Sequence, residues 1–244
     1  ARSLHEEALG IRAMALSPDH PQVAQSLNAL AGVLMEVGDY SGARPLYERA
    51  LAIREKTMGP KHPLTAWSME KLAAALLELG ETAKAREYGE RALNSRMETL
   101  GSKHPEVASS LQAMGLLLEH MGDPAAARQS YERALRIREE VLDPDHPNVA
   151  EPLTHLGSSW HRAGRPDLAR PMLERALRMR ETAFGPEHPL VAESLEAWSS
   201  LLADLGETRA SMEAALRAER IARDHLRLTA RTLPERQALT YAAI

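Results

Sequence analysis

The first strongly patterned stretch of the chain places Val23, Leu27, Leu30 and Leu34 at steps of four and three, which gathers them on one face of a helix. A polar break, VGDY, follows at Val37–Tyr40, and Gly38 is well placed there for a left-handed C-cap. A second helix is expected from about Ser41 to Thr57, with Ala43, Leu46, Tyr47, Ala50, Leu51 and Ile53 on its inner side. The pattern predicts helix pairs and no sheet.

The pair recurs. His-Pro dipeptides stand at His20, His62, His104, His146 and His188, each 42 residues from the next. Gly38, Gly80, Gly122, Gly164 and Gly206 keep that spacing, as does the motif ERAL at Glu48–Leu51, Glu90–Leu93, Glu132–Leu135 and Glu174–Leu177. Small residues share fixed slots: Ala43, Ala85, Ala127, Ala169 and Ser211 in one, Ala50, Ala92, Ala134, Ala176 and Ala218 in another. Neither helix of a pair can bury its face alone, so stacked neighbours must complete the core. Residues 1–19 read as the second helix of a truncated repeat. Five repeats follow over 20–223, starting near 20, 62, 104, 146 and 188, and 224–244 form a helical extension. Pro152 is expected well inside a first helix, where it removes a hydrogen bond, and Gly89 stands where Tyr47 places an aromatic ring.

With Gly38 at the turn glycine, Leu30, Ala31, Leu34, Ala43, Tyr47 and Ala50 fit the helix–turn–helix pattern of the tetratricopeptide repeat, which the chain resembles over about 210 residues. The 42-residue period, with "GPxHPxVAxSL" and "LYERALxIRE" elements, is similar to the kinesin light chain type. The resemblance implies an all-α, right-handed superhelical solenoid of antiparallel helix pairs. The tail HLRLTARTLPERQAL (His225–Leu239) is similar to the segment that joins such repeats to a caspase-like CHAT peptidase domain in bacterial proteins. Thr232 and Glu235 there have capping-box spacing, so a new helix is expected at that point.

Composition narrows the chemistry. The net charge of −4 gives no pull toward nucleic acid or an anionic membrane. No apolar run reaches the ~18 residues that span a bilayer, and ARSLHEEALG carries no signal-peptide core. The chain has no cysteine, which removes disulfides, thiolate zinc sites and a cysteine nucleophile and is compatible with a reducing, cytoplasmic setting. It therefore cannot be the peptidase itself. Phosphate-binding glycine loops and a Ser/His/Asp setting are both missing. No catalytic residue, metal or cofactor is expected.

The repeated histidines sit one per layer and never converge on one ion, so they read as helix-start punctuation before Pro21 and its equivalents. His120 and His161, on neighbouring first helices, are too few for a zinc site, with His155 the other histidine outside the slot. Arg12, Arg54, Arg96, Arg138 and Arg180 recur alongside the glutamates of ERAL and read as a solvated, ion-paired face.

The family resemblance implies that first helices line a concave groove for a partner polypeptide. Its expected solvent-facing slots are Gln25, Asn28, Met35 and Glu36 in repeat one, and Trp67, Glu70, Leu77 and Glu78 in repeat two. Repeat three supplies Ser109, Gln112, Glu119 and His120; repeat four, Glu151, Thr154, His161 and Arg162; repeat five, Glu193, Glu196, Ala203 and Asp204. Acids outnumber bases, so a basic or polar segment is the expected partner and nucleic acid is disfavoured. The chaperone-binding carboxylate clamp finds only Asn28 and Lys71 and is rejected, while the groove asparagine of kinesin light chains matches at Asn28 alone. Trp160 and Trp198 occupy core slots, whereas Trp67 occupies the groove-facing slot of Gln25 and is a candidate anchor. The leading expectation is a non-enzymatic interaction scaffold. The alternatives are the regulatory arm of a caspase-like peptidase and an array that self-assembles through its terminal helices.

Overall fold

A computed structural model describes residues 2–232, the side chains as far as 228. Among them are eleven α-helices, one 3-10 turn and no strand. In chain order the helices are α1 (Arg2–Ala15), α2 (Pro21–Glu36), α3 (Tyr40–Met58), α4 (Pro63–Glu78), α5 (Thr82–Leu100) and α6 (Pro105–His120). They continue with α7 (Pro124–Val141), α8 (Ala150–Arg162), α9 (Pro166–Phe184), α10 (Pro189–Asp204) and α11 (Thr208–Thr232). The last helix runs unbroken past residue 223, and the helix expected to start at Thr232 lies outside the described residues.

The His-Pro punctuation has a local cause. Each histidine is an N-cap in extended conformation, with proline at the first helical position, where its missing N–H costs nothing. The imidazole Nδ1 accepts from the backbone N–H two residues on: Gln22 at 3.2 Å, Leu64 at 3.1 Å, Glu106 at 3.1 Å, Asn148 at 3.1 Å and Leu190 at 3.2 Å. One orphan donor of each first helix is satisfied in this way. At the hairpin turn Gly38 adopts φ +76°, so that Asp39 N–H reaches Leu34 O at 2.8 Å, and the Asp39 carboxylate then caps α3 through Gly42 N–H at 2.9 Å.

The chain forms two compact units, residues 1–137 and 138–244, with the boundary inside α7. In the first, α2 pairs with α3 and α4 with α5, while α1, α3 and α5 each lie against the next first helix. Val23, Ala24, Leu27, Ala50 and Ile53 form one core layer, and Val107, Ala108, Leu111, Ala134 and Ile137 another. In the second unit α8 pairs with α9 and α10 with α11, around Leu173 and Leu201 and around Val191, Leu195 and Ile221. Each fully buried Leu or Val contributes roughly 1.5–3 kcal/mol of transfer free energy. Ala43, Ala85, Ala127 and Ala169 have no exposed surface, which is how facing backbones approach closely.

Packing inside a pair is complementary in size. A Cβ on Gly115 of α6 would fall 2.3 Å from the ring of Tyr131 in α7, so the tyrosine needs that glycine. Gly157 makes the same room for Leu173.

Pro152 does not sit well inside a helix. The repeat's first helix breaks into a 3-10 turn over Pro147–Val149, and α8 starts at Ala150, which leaves Pro152 in its first turn. Proline cannot donate to the carbonyl of Asn148, which removes one helical hydrogen bond; Pro45 and Pro171 stand equally far into α3 and α9 without a break, so the missing bond alone does not explain the 3-10 turn.

Candidate functional site

Four of the five arginines expected on a solvated face are buried instead, and Arg12 is half-buried. Arg54, Arg96, Arg138 and Arg180 are at most 8% exposed. Each reaches from a second helix into the first turns of the next first helix. Arg54 Nη1 donates to Leu64 O and to Ser68 Oγ, at 2.8 and 2.7 Å. Arg96 donates to Glu106 O and Ser110 Oγ, Arg180 to Leu190 O and Ser194 Oγ, and Arg12 to Gln22 O and Ser26 Oγ. In the fourth repeat Pro152 takes the serine's place, and Arg138 donates to Asn148 O alone of that pair. One guanidinium nitrogen, Nη1, satisfies both acceptors at once. Burial draws the Arg54 and Arg180 guanidiniums below their ordinary pKa.

This ladder rearranges the expected groove. Asn28 is 3% exposed and Gln112 4%, so neither is solvent-facing. Arg54 carries only donors, so the Asn28 amide turns its oxygen inward, where it accepts from Arg54 Nη1 at 2.9 Å and Ser68 Oγ at 3.1 Å. Glu70 occupies the same slot one repeat later. Its Oε1 accepts from Arg96 Nη1 at 2.6 Å and from Ser110 Oγ, and its side chain is only 14% exposed. Burial pushes the Glu70 carboxyl above the usual carboxylate range, against the opposing pull of Arg96 and Ser110. In the first two repeats the slot thus serves the stack, Asn28 and Glu70 each joining the next Arg and Ser.

The acidic face is consequently weaker than the residue types imply. Glu193 lies 3.3 Å from Arg180 Nη1, Glu151 3.6 Å from Arg138, and Asp204 Oδ2 accepts from His161 Nε2 at 2.7 Å. Glu36, Glu78 and Glu196 remain exposed and Met35 and Glu119 half-buried. His120 is exposed with Nδ1 3.0 Å from Leu116 O; Thr154 bonds Ala150 O at 2.9 Å; Arg162 is exposed.

Trp67 is where the first unit opens to solvent. Its half-buried ring lies between Arg54, 5.3 Å from the centroid, and Lys71 at 5.6 Å, both within cation–π range. On one side is a cleft of about 530 Å³ that includes Gln25, Ala29 and Leu64. On the other is a cleft of about 330 Å³ between α4 and α6, with Ala73, Leu77, Met114 and Leu117 in its walls and Gly89 of α5 at its base. In the second unit His161, Arg162 and Asp204 border a polar hollow with Ser158 and Ser200. Trp160 and Trp198 pack half-buried against the Ala169–Leu173–Leu201 cluster, as their slots imply. No three His, Asp or Glu side chains converge on a metal-sized site among the described residues, and none of their helices is long and apolar enough to cross a membrane.

The tetratricopeptide repeat pattern matches residues 1–56, 22–98, 84–140, 106–182 and 148–224, overlapping windows that follow the helix pairs along almost the whole chain. The chain belongs to the tetratricopeptide repeat family. Solved structures of TPR proteins agree on the fold. A putative kinesin light chain of Podosopora anserina with nearly identical TPR-like repeats is 23% identical, with a TM-score of 0.66 over 84% of this chain and 98% of its own. BtubC (BKLC) from P. vanneervenii is 21% identical, with a TM-score of 0.72 over 92% of this chain and 90% of its own. No curated protein matches the chain. The TPR array is therefore of the kinesin light chain-like kind in fold, while nothing among these relatives reproduces the CHAT resemblance of the tail. TPR arrays are generally protein-interaction scaffolds.

Proposed function

We propose that this TPR array binds a partner polypeptide along the face built by its first helices, without catalysing a reaction on it. The observation that carries this reading is Trp67, a large ring held half-exposed between two clefts by Arg54 and Lys71. A pre-positioned tryptophan beside an apolar hollow is the arrangement of an interaction anchor. A basic or polar partner segment is favoured by exposed Glu36 and Glu78 in the first unit and Glu196 in the second, while Asn28, Glu70 and Gln112 act within the stack. The test is to pan a random peptide library against the protein and compare the winners with Trp67→Ala and Glu78→Gln. Selected peptides rich in Lys or Arg, with affinity lost in Trp67→Ala at unchanged melting temperature, support the reading. Equal affinity for both variants overturns it.

A second reading, the regulatory arm of a caspase-like peptidase, is favoured by the 25-residue length of α11 against 19 for α3, α5 and α9, which carries the chain beyond the repeat. Residues 233–239 of the tail motif behind it lie outside the described residues. A complete reading frame encoding no downstream Cys/His peptidase domain removes that possibility. Self-assembly draws on the exposed Met212 and Leu216 of α11, and concentration-dependent light scattering tests it.

A further inference from the structure

The second helices carry one slot that faces the small-residue position of their own first helix. Tyr47, Tyr131 and Leu173 fill it in repeats one, three and four, against Ala31, Gly115 and Gly157. In repeat two both partners are small: Gly89 stands opposite Ala73. Repeat five has a small pair too, Ala215 opposite Ser199, whereas repeats one, three and four bury a ring or a leucine there; at Gly89 the sulfur of Met114 lies 3.2 Å and a methyl of Leu117 3.5 Å from where a Cβ would be. The cleft of about 330 Å³ beside Trp67 has this missing side chain as its base. Its size falls within the roughly 300–1,000 Å³ of small-ligand sites.

Charge around the opening is unevenly settled. Glu70 is already held by Arg96 and Ser110, and Lys71 lies over the Trp67 ring. Glu78, two turns further along α4, is exposed and has no ion pair among the described residues. We propose that the Gly89 cleft is a specificity pocket that takes one bulky apolar side chain of an extended peptide, the residue next to it being Lys or Arg against Glu78. This rests on the peptide-binding reading above and adds to it the position and chemistry of the anchor side chain. Ala73, Leu77, Met114 and Leu117 favour an apolar side chain there, since Glu70 and Ser110 on the same lining already bond each other and Arg96.

The test uses N-acetyl-Phe-Lys-amide, with N-acetyl-Ala-Lys-amide and N-acetyl-Phe-Glu-amide as comparisons, followed by ¹⁵N NMR shifts of the Trp67 indole and of the Ala73 and Leu77 amides. Phe-Lys is expected to move all three signals. Ala-Lys should bind at least about tenfold more weakly, the scale of losing a large apolar group from a pocket. Two variants block the site from different directions. Gly89→Tyr restores the ring found in neighbouring repeats, and Ala74→Phe narrows the mouth from an exposed position that leaves the core untouched. Both should abolish the shifts, and Ala74→Phe alone suffices if Gly89→Tyr fails to fold. Glu78→Gln should bring Phe-Lys down to the level of Phe-Glu. Unchanged Phe-Lys shifts in Ala74→Phe, or equal binding of Ala-Lys, overturns the pocket. Library peptides that still bind Ala74→Phe in full would leave the scaffold reading standing and the pocket refuted. Phe-Lys binding in the cleft that no library peptide displaces would do the reverse.

Discussion

A histidine can end up as a cap, and an arginine inside a helical stack, for reasons that only their neighbours supply. The five His-Pro histidines work through Nδ1, a neutral acceptor for one backbone N–H each. Removing one should cost about 1 kcal/mol, the usual scale of a lost N-cap, and a short polar acceptor should restore it. His104→Ala is therefore expected to lower stability by about that amount in urea denaturation and His104→Asn to recover most of it; equal stability of all three proteins would remove the cap's role. Glu70 offers a sign that can be checked. Its folded-state pKa is raised, so the stability it contributes is full below its unfolded value and is lost as pH climbs through the folded one. Gln cannot titrate, and Gln112 already occupies the equivalent slot. Glu70→Gln should thus gain on the wild type as pH rises above the ordinary carboxylate value of about 4, read as a widening difference in melting temperature. A narrowing difference would mean that Arg96 outweighs burial at this position.

At the scale of the element, the helix pairs and their turns were legible because each leaves a periodic mark: the 3.6-residue apolar face, the turn glycine at φ +76°, the proline at the first helical position. The buried arginine ladder was misread because Arg and Glu alternating on one helix look the same whether the arginine points to water or to the next repeat. The missing signal was a second periodicity. Ser26, Ser68, Ser110 and Ser194 each follow their arginine by fourteen residues, and the series fails only at Pro152. That failure is visible in the element itself, where the 3-10 turn over Pro147–Val149 leaves Asn148 O to Arg138. Pro152→Ser gives back a helical N–H and a hydroxyl acceptor for Arg138. It should extend α8 toward Pro147 and stabilise the protein by roughly 1 kcal/mol or more, given what proline costs within a helix and what a charged hydrogen bond returns. A lower melting temperature for this variant would show that the break is needed by its surroundings.

At the scale of the whole molecule, the groove was the least legible part, because groove slots were assigned by residue type while burial depends on what each second helix inserts between its neighbours. Asn28, Glu70 and Gln112 are polar yet inside, and Trp67 is apolar yet half outside. Stability in such a stack is a sum of repeat and nearest-neighbour contributions, and the arginines test that directly. Arg54 joins α3 to α4 in the first unit and Arg180 joins α9 to α10 in the second, with no shared partner. Surface pairs such as Arg2–Glu6 are worth little and are screened at about 1 M salt. Arg54 and Arg180 are not, since each satisfies a carbonyl and a hydroxyl away from water. Arg54→Met and Arg180→Met should each cost about 2 kcal/mol or more, from acceptors left unpaired, and the costs should persist in about 1 M salt. Combined, they should add to within about 0.5 kcal/mol, as mutations without shared contacts do. A coupling clearly above that in a double-mutant cycle would mean that strain from one joint reaches the other through the helices between them, and that the repeats do not respond independently.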